Sequence, residues 1–381
     1  MERSRRTKAP EATKKDTPLD EQMKRRIRRV EREKKTNSFL STGSTMLNLA
    51  MSDSVNGGWP LGRISTLPGQ SSAGKTVLVL STFCEACLDS RFNEYNLFYD
   101  DVERRCDFHF NKLFPPLTDR LMTPSGLLYK DLQNHLDESG ISTTIQDLRN
   151  RMLMLKKEGK PFIYIADSLD SFSSDEELDK ELKRALAAAK SPEAANKIAG
   201  SFNAEKAKIT GQILRMINDL VANTNSVFIL TQQLRQRMNP MFGQAKWVTS
   251  GGEAPYFYSH VRPYLSKIGS IKDLGCKTGV STRCSMDKNS VTGKLRDIEF
   301  DIYYDMGVDD IGSMVSFLLE QKHWKSGSWI DADDLGLREN GKDKLIRAIE
   351  DMGLEQKLKR IVQAEWNKRE DKLQLGRKAR Y

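Results

Sequence analysis

What the chain lacks narrows it first. Cysteine is scarce: five residues in 381, Cys84, Cys87, Cys106, Cys276 and Cys284. They are scattered and odd in number, which excludes a disulfide scaffold and suits free thiols in a reducing compartment. No apolar run approaches the ~18 residues of a membrane span, and the N-terminus lacks the apolar stretch of a secretory signal. A soluble intracellular protein without membrane contact is expected. Cys84 and Cys87 form a C-x-x-C, but both lie in an apolar helical run with no second pair at zinc spacing. Ordinary packing is the expectation there, rather than metal or redox chemistry. No internal repeat is visible.

Charge is abundant and uneven. The formal net charge is +9, and residues 1–36 carry fourteen Lys/Arg against seven Asp/Glu. The stretch from Gln356 is basic again. Basic ends are commonly solvated tails, and they are also the footprint of polyanion binding. A chain of this length buries a substantial core in one large domain or two of ordinary size.

The clearest motif is "LPGQSSAGKTVLVL", Leu67 to Leu80. Gly69-Gln70-Ser71-Ser72-Ala73-Gly74-Lys75-Thr76 fits G-x-x-x-x-G-K-[ST]. A triphosphate needs inward-pointing backbone N–H groups, a cation, and a hydroxyl for magnesium; the glycine-bracketed loop, Lys75 and Thr76 supply these. "RISTL" before the loop reads as a strand, and the residues after Lys75 can run as a helix with its N-terminus toward the phosphates.

"DEQMKRRIRRVEREKK" (Asp20 to Lys35) reads as a charged helix, and the globular part opens at "TNSF". Strand-like runs then alternate with helical ones: "RISTL", "YNLFYD" (Tyr95 to Asp100), "FIYIADS" (Phe162 to Ser168), "SVFILT" (Ser226 to Thr231) and "DIEFDIYY" (Asp297 to Tyr304). That alternation predicts an α/β domain on a mainly parallel sheet. Between the third and fourth runs, residues 175–222 are polar and alanine-rich, and "KITGQILRMINDLVA" has helical apolar spacing. The expected division is a basic arm over 1–37, an ATPase core over 38–305, and a small α-rich domain with a basic tail over 306–381.

In such a fold, chemistry gathers at the C-terminal ends of the strands. Asp167 ends an apolar strand and suits a magnesium carboxylate; the bland alternative is a turn cap. Glu103 follows "NLFYD" and suits the carboxylate that polarises water, with Asp100 and Asp101 as competitors. Gln232 and Gln233 end "VFILT" and could sense a γ-phosphate. The segment that follows, "LRQRMNPMFGQAKWVTSGG", reads as a long loop, usually a functional or disordered feature. Its basic groups interleave with apolar and aromatic ones, which suits a nucleic-acid strand.

The ordered set "STGSTMLNLAM", "GGWPLGRI", the phosphate loop, and "MFGQAKWVTSGGEAPYFYSHVR" resembles the RecA-like recombinase family, bacterial RecA and bacteriophage UvsX-type strand-exchange ATPases. The similarity runs from about Phe39 to about Trp366. It implies a RecA-type P-loop ATPase core with ATP and Mg2+ as cofactors. Residues 69–76 would bind phosphate, Thr76 and Asp167 would serve the metal, and Glu103 would be the catalytic glutamate. Asp107 and Phe110 would contact adenine. Gln233 would be the switch between γ-phosphate and DNA. The first DNA loop would hold Arg235, Arg237, Met241, Phe242 and Gly243; the second, residues 244–252, would hold Lys246, Trp247, Gly251 and Gly252.

Phe257 would lie at the contact between subunits, and Lys288 would reach a neighbour's nucleotide. A second lysine expected nearby is replaced by Ser290, which places trans-activation in question unless Lys294 or Arg296 compensates. The basic N-terminal helix would dock on an adjacent protomer or bind DNA.

The resemblance implies a helical filament on single-stranded DNA, pairing with homologous double-stranded DNA, and DNA-stimulated ATP hydrolysis. A single-strand-binding protein and a loader would be further partners, in the cytoplasm of a bacterial or phage-infected cell. The basic tails favour a phage source, and a basic tail in place of an acidic one should strengthen DNA binding. Two alternatives stand beside it: a ring helicase of the same superfamily, and an ATP-switched recombination mediator or regulator with weak hydrolysis.

Overall fold

The computed structural model describes residues 38–106, 109–117, 120–122, 141–189, 202–236, 247–249 and 251–377. The expected N-terminal arm, residues 1–37, lies outside the described residues. A short pair, β1 (Phe39–Leu40) and β2 (Trp59–Pro60), flanks helix α1 (Thr45–Ser52). The main sheet then begins with β3 (Arg63–Gly69), which runs through the phosphate loop into α2 (Lys75–Leu88). It continues with β4 (Asn96–Asp101), the four-residue helix α3 (Phe110–Leu113), β5 (Leu121–Met122), α4 (Ile145–Glu158) and β6 (Phe162–Asp167). Two helices follow, α5 (Asp175–Ala188) and α6 (Phe202–Thr224). The rest of the sheet is β7 (Val227–Gln236), β8 (Trp247–Thr249), β9 (Val261–Asp273), β10 (Cys276–Asn289), β11 (Asp297–Tyr303) and β12 (Gly307–Val308), with α7 (Ala254–Tyr258) between β8 and β9.

The strand order is β12-β11-β10-β9-β3-β7-β6-β4-β5, with β8 paired to β7 off that path. From β9 to β5 every pairing is parallel, and the remaining pairings are antiparallel. This is the mainly parallel α/β sheet the alternation predicts.

Side chains alternate across the sheet because successive Cβ atoms on a strand point to opposite faces. Leu97, Tyr99, Ile163, Ile165, Val227 and Ile229 enter one core, whereas Phe98, Phe162, Tyr164, Phe228 and Leu230 enter the other. Helix α6 closes the second core with Ile213, Leu214, Ile217, Leu220 and Val221, the helical spacing seen in the sequence. Burial on both faces explains why these strands read as nearly continuous apolar runs.

The long β9–β10 hairpin is absent from the sequence-based reading. Its residues alternate between buried and solvent-facing along much of its length, so the pattern lacks the unbroken apolar run of the parallel strands. Strand β7 also runs five residues beyond Thr231, because Leu234, Arg235 and Gln236 pair with Thr249, Val248 and Trp247. Part of the expected loop is therefore a hairpin.

Past β12 come α8 (Asp310–Glu320), a three-stranded sheet of β13 (Lys325–Ser326), β14 (Ile330–Ala332) and β15 (Leu337–Glu339), then α9 (Lys342–Asp351) and α10 (Glu355–Lys372). Leu345, Leu358 and Trp366 of this region belong to the same buried cluster as Leu47 and Phe83. A charged clasp reinforces the contact. Lys294 Nζ lies 2.7 Å from Asp53 and 3.0 Å from Glu370, Arg296 Nη2 lies 2.7 Å from Glu370, and Trp366 Nε1 donates to Asp53 at 3.0 Å.

The hydrogen bond from Arg296, with Lys294 beside it, holds the buried Glu370 carboxyl down to about 2 from its ordinary 4.5. A depressed carboxylate stabilises the fold fully above its unfolded value and loses that contribution as pH falls through the folded value. Glu370→Gln is expected to cost about 2–3 kcal/mol at pH 7. The difference from wild type should shrink between pH 4.5 and about 2, as read by denaturant unfolding across that range.

Candidate active site

The phosphate loop leaves β3 at Gly69 and turns into α2 at Gly74, whose φ of +87° suits glycine. A Cβ at Gly74 would stand 2.1 Å from Ile302 Cδ1, so space as well as backbone requires its absence. The hairpin that escaped the sequence braces this loop. Gln70 N donates to Leu265 O at 3.0 Å, Gln70 Oε1 accepts from Lys267 N at 3.1 Å, and Thr282 Oγ1 donates to Ala73 O at 3.2 Å.

Lys75 is buried, and its Nζ donates to Gly69 O and Gln70 O, both at 3.0 Å. Burial lowers its pKa, while Asp167, Glu103 and Asp170 push the other way. Thr76 Oγ1 donates to Asp167 Oδ2 at 2.9 Å, Tyr99 OH donates to the same oxygen at 3.0 Å, and Thr231 donates to Oδ1. Burial nonetheless raises the Asp167 pKa, and Glu103 adds to the rise. Two carboxylates thus face one cleft, an arrangement that a cation relieves. Gly69 and Gln70 shape the loop, and Ser71, Ser72, Gly74, Lys75, Thr76, Glu103, Asp167 and Gln233 line a cleft of about 470 Å³. Ala73 is fully buried beneath it.

Glu103 stands at the mouth. Its Oε1 accepts from Ser168 Oγ and from Gln233 Nε2, the latter at 2.6 Å, while Oε2 lies 3.8 Å from Arg105 Nη1. Gln233 N in turn donates to Asp170 Oδ2 at 2.7 Å. The competing aspartates are occupied elsewhere. Asp100 is fully buried on the opposite face, accepting from Tyr164 OH at 2.6 Å and Ser142 N at 2.9 Å. Asp101 accepts the backbone amides of Arg105 and Cys106 at 3.0 and 2.9 Å, and burial raises its pKa to about 6. It shapes the turn that carries Glu103.

Other expected site residues are placed differently. Phe110 is 0% exposed, with its ring centroid 5.9 Å from that of Phe114, and belongs to the main core. The apolar wall of the cleft is built instead by Leu113, Phe114, Val280, Ile302, Tyr303 and Tyr304. A lone aromatic after Glu103 gave no sign of this, because most of the wall comes from the antiparallel end of the sheet. Asp107, Arg237, Met241, Phe242, Gly243 and Lys246 lie outside the described residues. For Arg235 and Trp247 the backbone is placed on the β7–β8 pair, Arg235 opposite Val248 and Trp247 opposite Gln236. Gly251 and Gly252 have φ of +87° and +69°, and a Cβ on Gly251 would meet Leu169 Cδ2 at 2.5 Å. Both glycines are thus required by the backbone.

Phe257 is 72% exposed at the end of α7. Lys288 Nζ donates to the carbonyls of Tyr256 and Phe257 at 2.9 and 3.0 Å, closing that short helix. Lys294 and Arg296 are held in the clasp with Asp53 and Glu370, so neither is poised as a substitute for the lysine that Ser290 replaces. The five cysteines are free thiols, and burial pushes the Cys84 thiol up to about 12, consistent with packing. Among the described residues no helix is long and apolar enough to cross a membrane.

The sheet, the glycine-bracketed loop and the Lys75–Thr76–Asp167 cluster define a phosphate-loop α/β protein. A family model described as the RecA N-terminal domain matches residues 172–309. The chain is 28% identical over 344 residues to Protein RecA of Gluconobacter oxydans, covering 89% of this chain and 87% of that one. It is 28% identical over 314 residues to Protein RecA of Parvibaculum lavamentivorans, covering 80% and 74%. Against Protein RecA of Geobacter metallireducens the identity is 26% over 310 residues, 80% of each chain. Through these matches the chain is similar to Protein RecA over most of its length.

The contrast between buried and cleft-lining aromatics is measurable without ligand. Phe110→Ala is expected to destabilise the fold by about 3–5 kcal/mol, whereas Tyr304→Ala, at a 56% exposed position, should stay within about 0.5 kcal/mol. Urea unfolding of the two variants checks it.

Proposed function

We propose that the chain is a DNA-stimulated ATPase that forms a filament on single-stranded DNA and promotes homologous pairing and strand exchange. The observation that carries this reading is the Gln233–Glu103 hydrogen bond at the mouth of the cleft containing Lys75, Thr76 and Asp167.

The cleft's residues fit ATP and Mg2+. Backbone amides of 69–76 and Lys75 would hold the polyphosphate, and Thr76 with Asp167 would hold the metal. When bound, Mg2+ supplies charge neutralisation of the phosphates. Ser168 and Gln233 fix one Glu103 oxygen, so Oε2 is the atom that would orient the attacking water and take its proton. Arg105, near Oε2 and lining the cleft, adds a second cation beside Lys75. Leu113, Phe114 and Tyr304 would flank the base.

Gln233 sits where β7 leaves the cleft and leads toward residues 237–246, so a change in its partner would bear on the proposed DNA loops. Those loops would grip a single strand by phosphate contacts and stacking, leaving sequence recognition to base pairing. Exposed Phe257, with Lys288 behind it, suits a contact between successive subunits of the filament. The bacterial relatives support a place on DNA in the cytoplasm of a bacterial or phage-infected cell, with single-strand-binding and loading proteins as further partners. Restraint of Lys294 and Arg296 within the chain favours one second reading, an ATP-switched mediator with weak hydrolysis.

ATP hydrolysis measured with and without homopolymeric single-stranded DNA tests the proposal. Wild type should be stimulated about tenfold or more, Lys75→Ala and Glu103→Gln should lose about 10²–10³ in kcat, and Asp100→Asn should keep the stimulation wherever it folds. Hydrolysis indifferent to DNA would move the mediator reading ahead, and ATP-driven strand unwinding would mark a helicase.

A further inference from the structure

Arg262 is a cation with 5% of its surface exposed, and the chemistry of the cleft uses none of its bonds. Its Nε donates to Asp287 Oδ2 at 2.9 Å; Nη1 donates to Thr66 Oγ1 at 3.0 Å and Gln232 Oε1 at 2.7 Å; Nη2 donates to Thr249 Oγ1 at 3.3 Å. The guanidinium also lies 5.6 Å from the Tyr256 ring centroid. These partners come from β10, β3, β7, β8 and α7. A guanidinium is a rigid planar fork with fixed donor directions. Displacing one acceptor therefore either shifts the others or breaks a bond.

The position of one acceptor gives this rigidity a consequence. Gln232 and Gln233 are adjacent on β7, so their side chains leave opposite faces of the strand. Gln233 reaches Glu103 in the cleft, whereas fully buried Gln232 reaches Arg262. Movement of this strand end at the cleft arrives on the other face at Arg262, and Arg262 holds Thr249 in β8. Strands β7 and β8 are the two flanks of residues 237–246.

We propose that Arg262 is a positioning residue that couples the nucleotide cleft to β8, so that nucleotide state sets the affinity of the β7–β8 flanks for single-stranded DNA. The inference rests on the function proposed above, and adds to it the element that carries the signal. Spatial intermediacy alone does not establish coupling; a change in the linked equilibrium does.

The experiment measures Kd for a fluorescent homopolymeric single strand at one fixed salt concentration, with a non-hydrolysable ATP analogue and with ADP. Wild type should bind about tenfold or more tightly in the triphosphate state, within the usual range of coupling. Arg262→Lys keeps the charge but loses the fork; its two Kd values should converge to within about twofold, with DNA-free hydrolysis kept within about threefold of wild type. Thr249→Val removes one link without touching the buried charge, and should lower the ratio by at least about threefold. Should Arg262→Lys fail to fold by urea unfolding, Thr249→Val decides alone.

The inference is overturned if the folded variants keep the wild-type ratio, or weaken both states equally, which is what a purely structural role would give. If wild type itself binds DNA equally in both states, the proposed function fails and the inference falls with it. That outcome is visible before any variant is made.

Discussion

The hydrogen bond between Gln233 and Glu103 joins two strand ends that are neither sequential nor adjacent in the sheet. Glu103 sits on the turn after β4 and Gln233 near the end of β7, with β6 between them. Asp101 holds the turn by accepting two backbone amides, Asp170 accepts the Gln233 backbone amide, and Ser168 Oγ donates to the same Glu103 oxygen as Gln233. A carboxylate so fixed keeps one oxygen directed at the cleft. The same amide lies on the strand that continues into the β7–β8 hairpin. The cleft-facing contact and the strand leading out of the cleft therefore share one residue.

Charge explains why this arrangement favours a ligand. Asp167 and Glu103 face each other with Lys75 as the buried cation, and Lys75 is itself satisfied by loop carbonyls. Burial disfavours both the aspartate's anion and the lysine's cation, so the site stores unfavourable electrostatics that a metal-bound polyphosphate would relieve. The antiparallel β9–β10 hairpin holds the loop in place through Leu265, Lys267 and Thr282. Behind it, Lys294 and Arg296 fasten helix α10 through Glu370 and Asp53, so both cations are engaged within the chain.

Contiguity decided what was legible from sequence. The phosphate loop is one eight-residue pattern, Asp167 ends an unbroken apolar strand and Gln233 directly follows the apolar run of another, so their placement at one cleft followed from the rule for parallel sheets. The resemblance singled out Glu103 over Asp100 and Asp101; the residues alone did not, because Asp100 is taken up by the distant Tyr164 hydroxyl and Ser142 amide, and Asp101 by the amides of its own turn. The β9–β10 hairpin was missed because its half-exposed strands have no apolar run. Arg262 carried no local sign either: its hydrogen-bond partners Thr66, Gln232, Thr249 and Asp287 are spread over more than two hundred positions. The apolar wall of the cleft was not legible for the same reason: Phe110 is buried in the core, and Val280, Ile302, Tyr303 and Tyr304 come from the late, antiparallel part of the chain.

The most direct measurement is an electron cryomicroscopy map of the full chain assembled on homopolymeric single-stranded DNA with magnesium and a non-hydrolysable ATP analogue. The account expects the terminal phosphate between Lys75 and Gln233, Glu103 beside it, and the DNA strand along residues 237–252. Nucleotide bound away from Lys75, or DNA running on a face remote from β7 and β8, would contradict it.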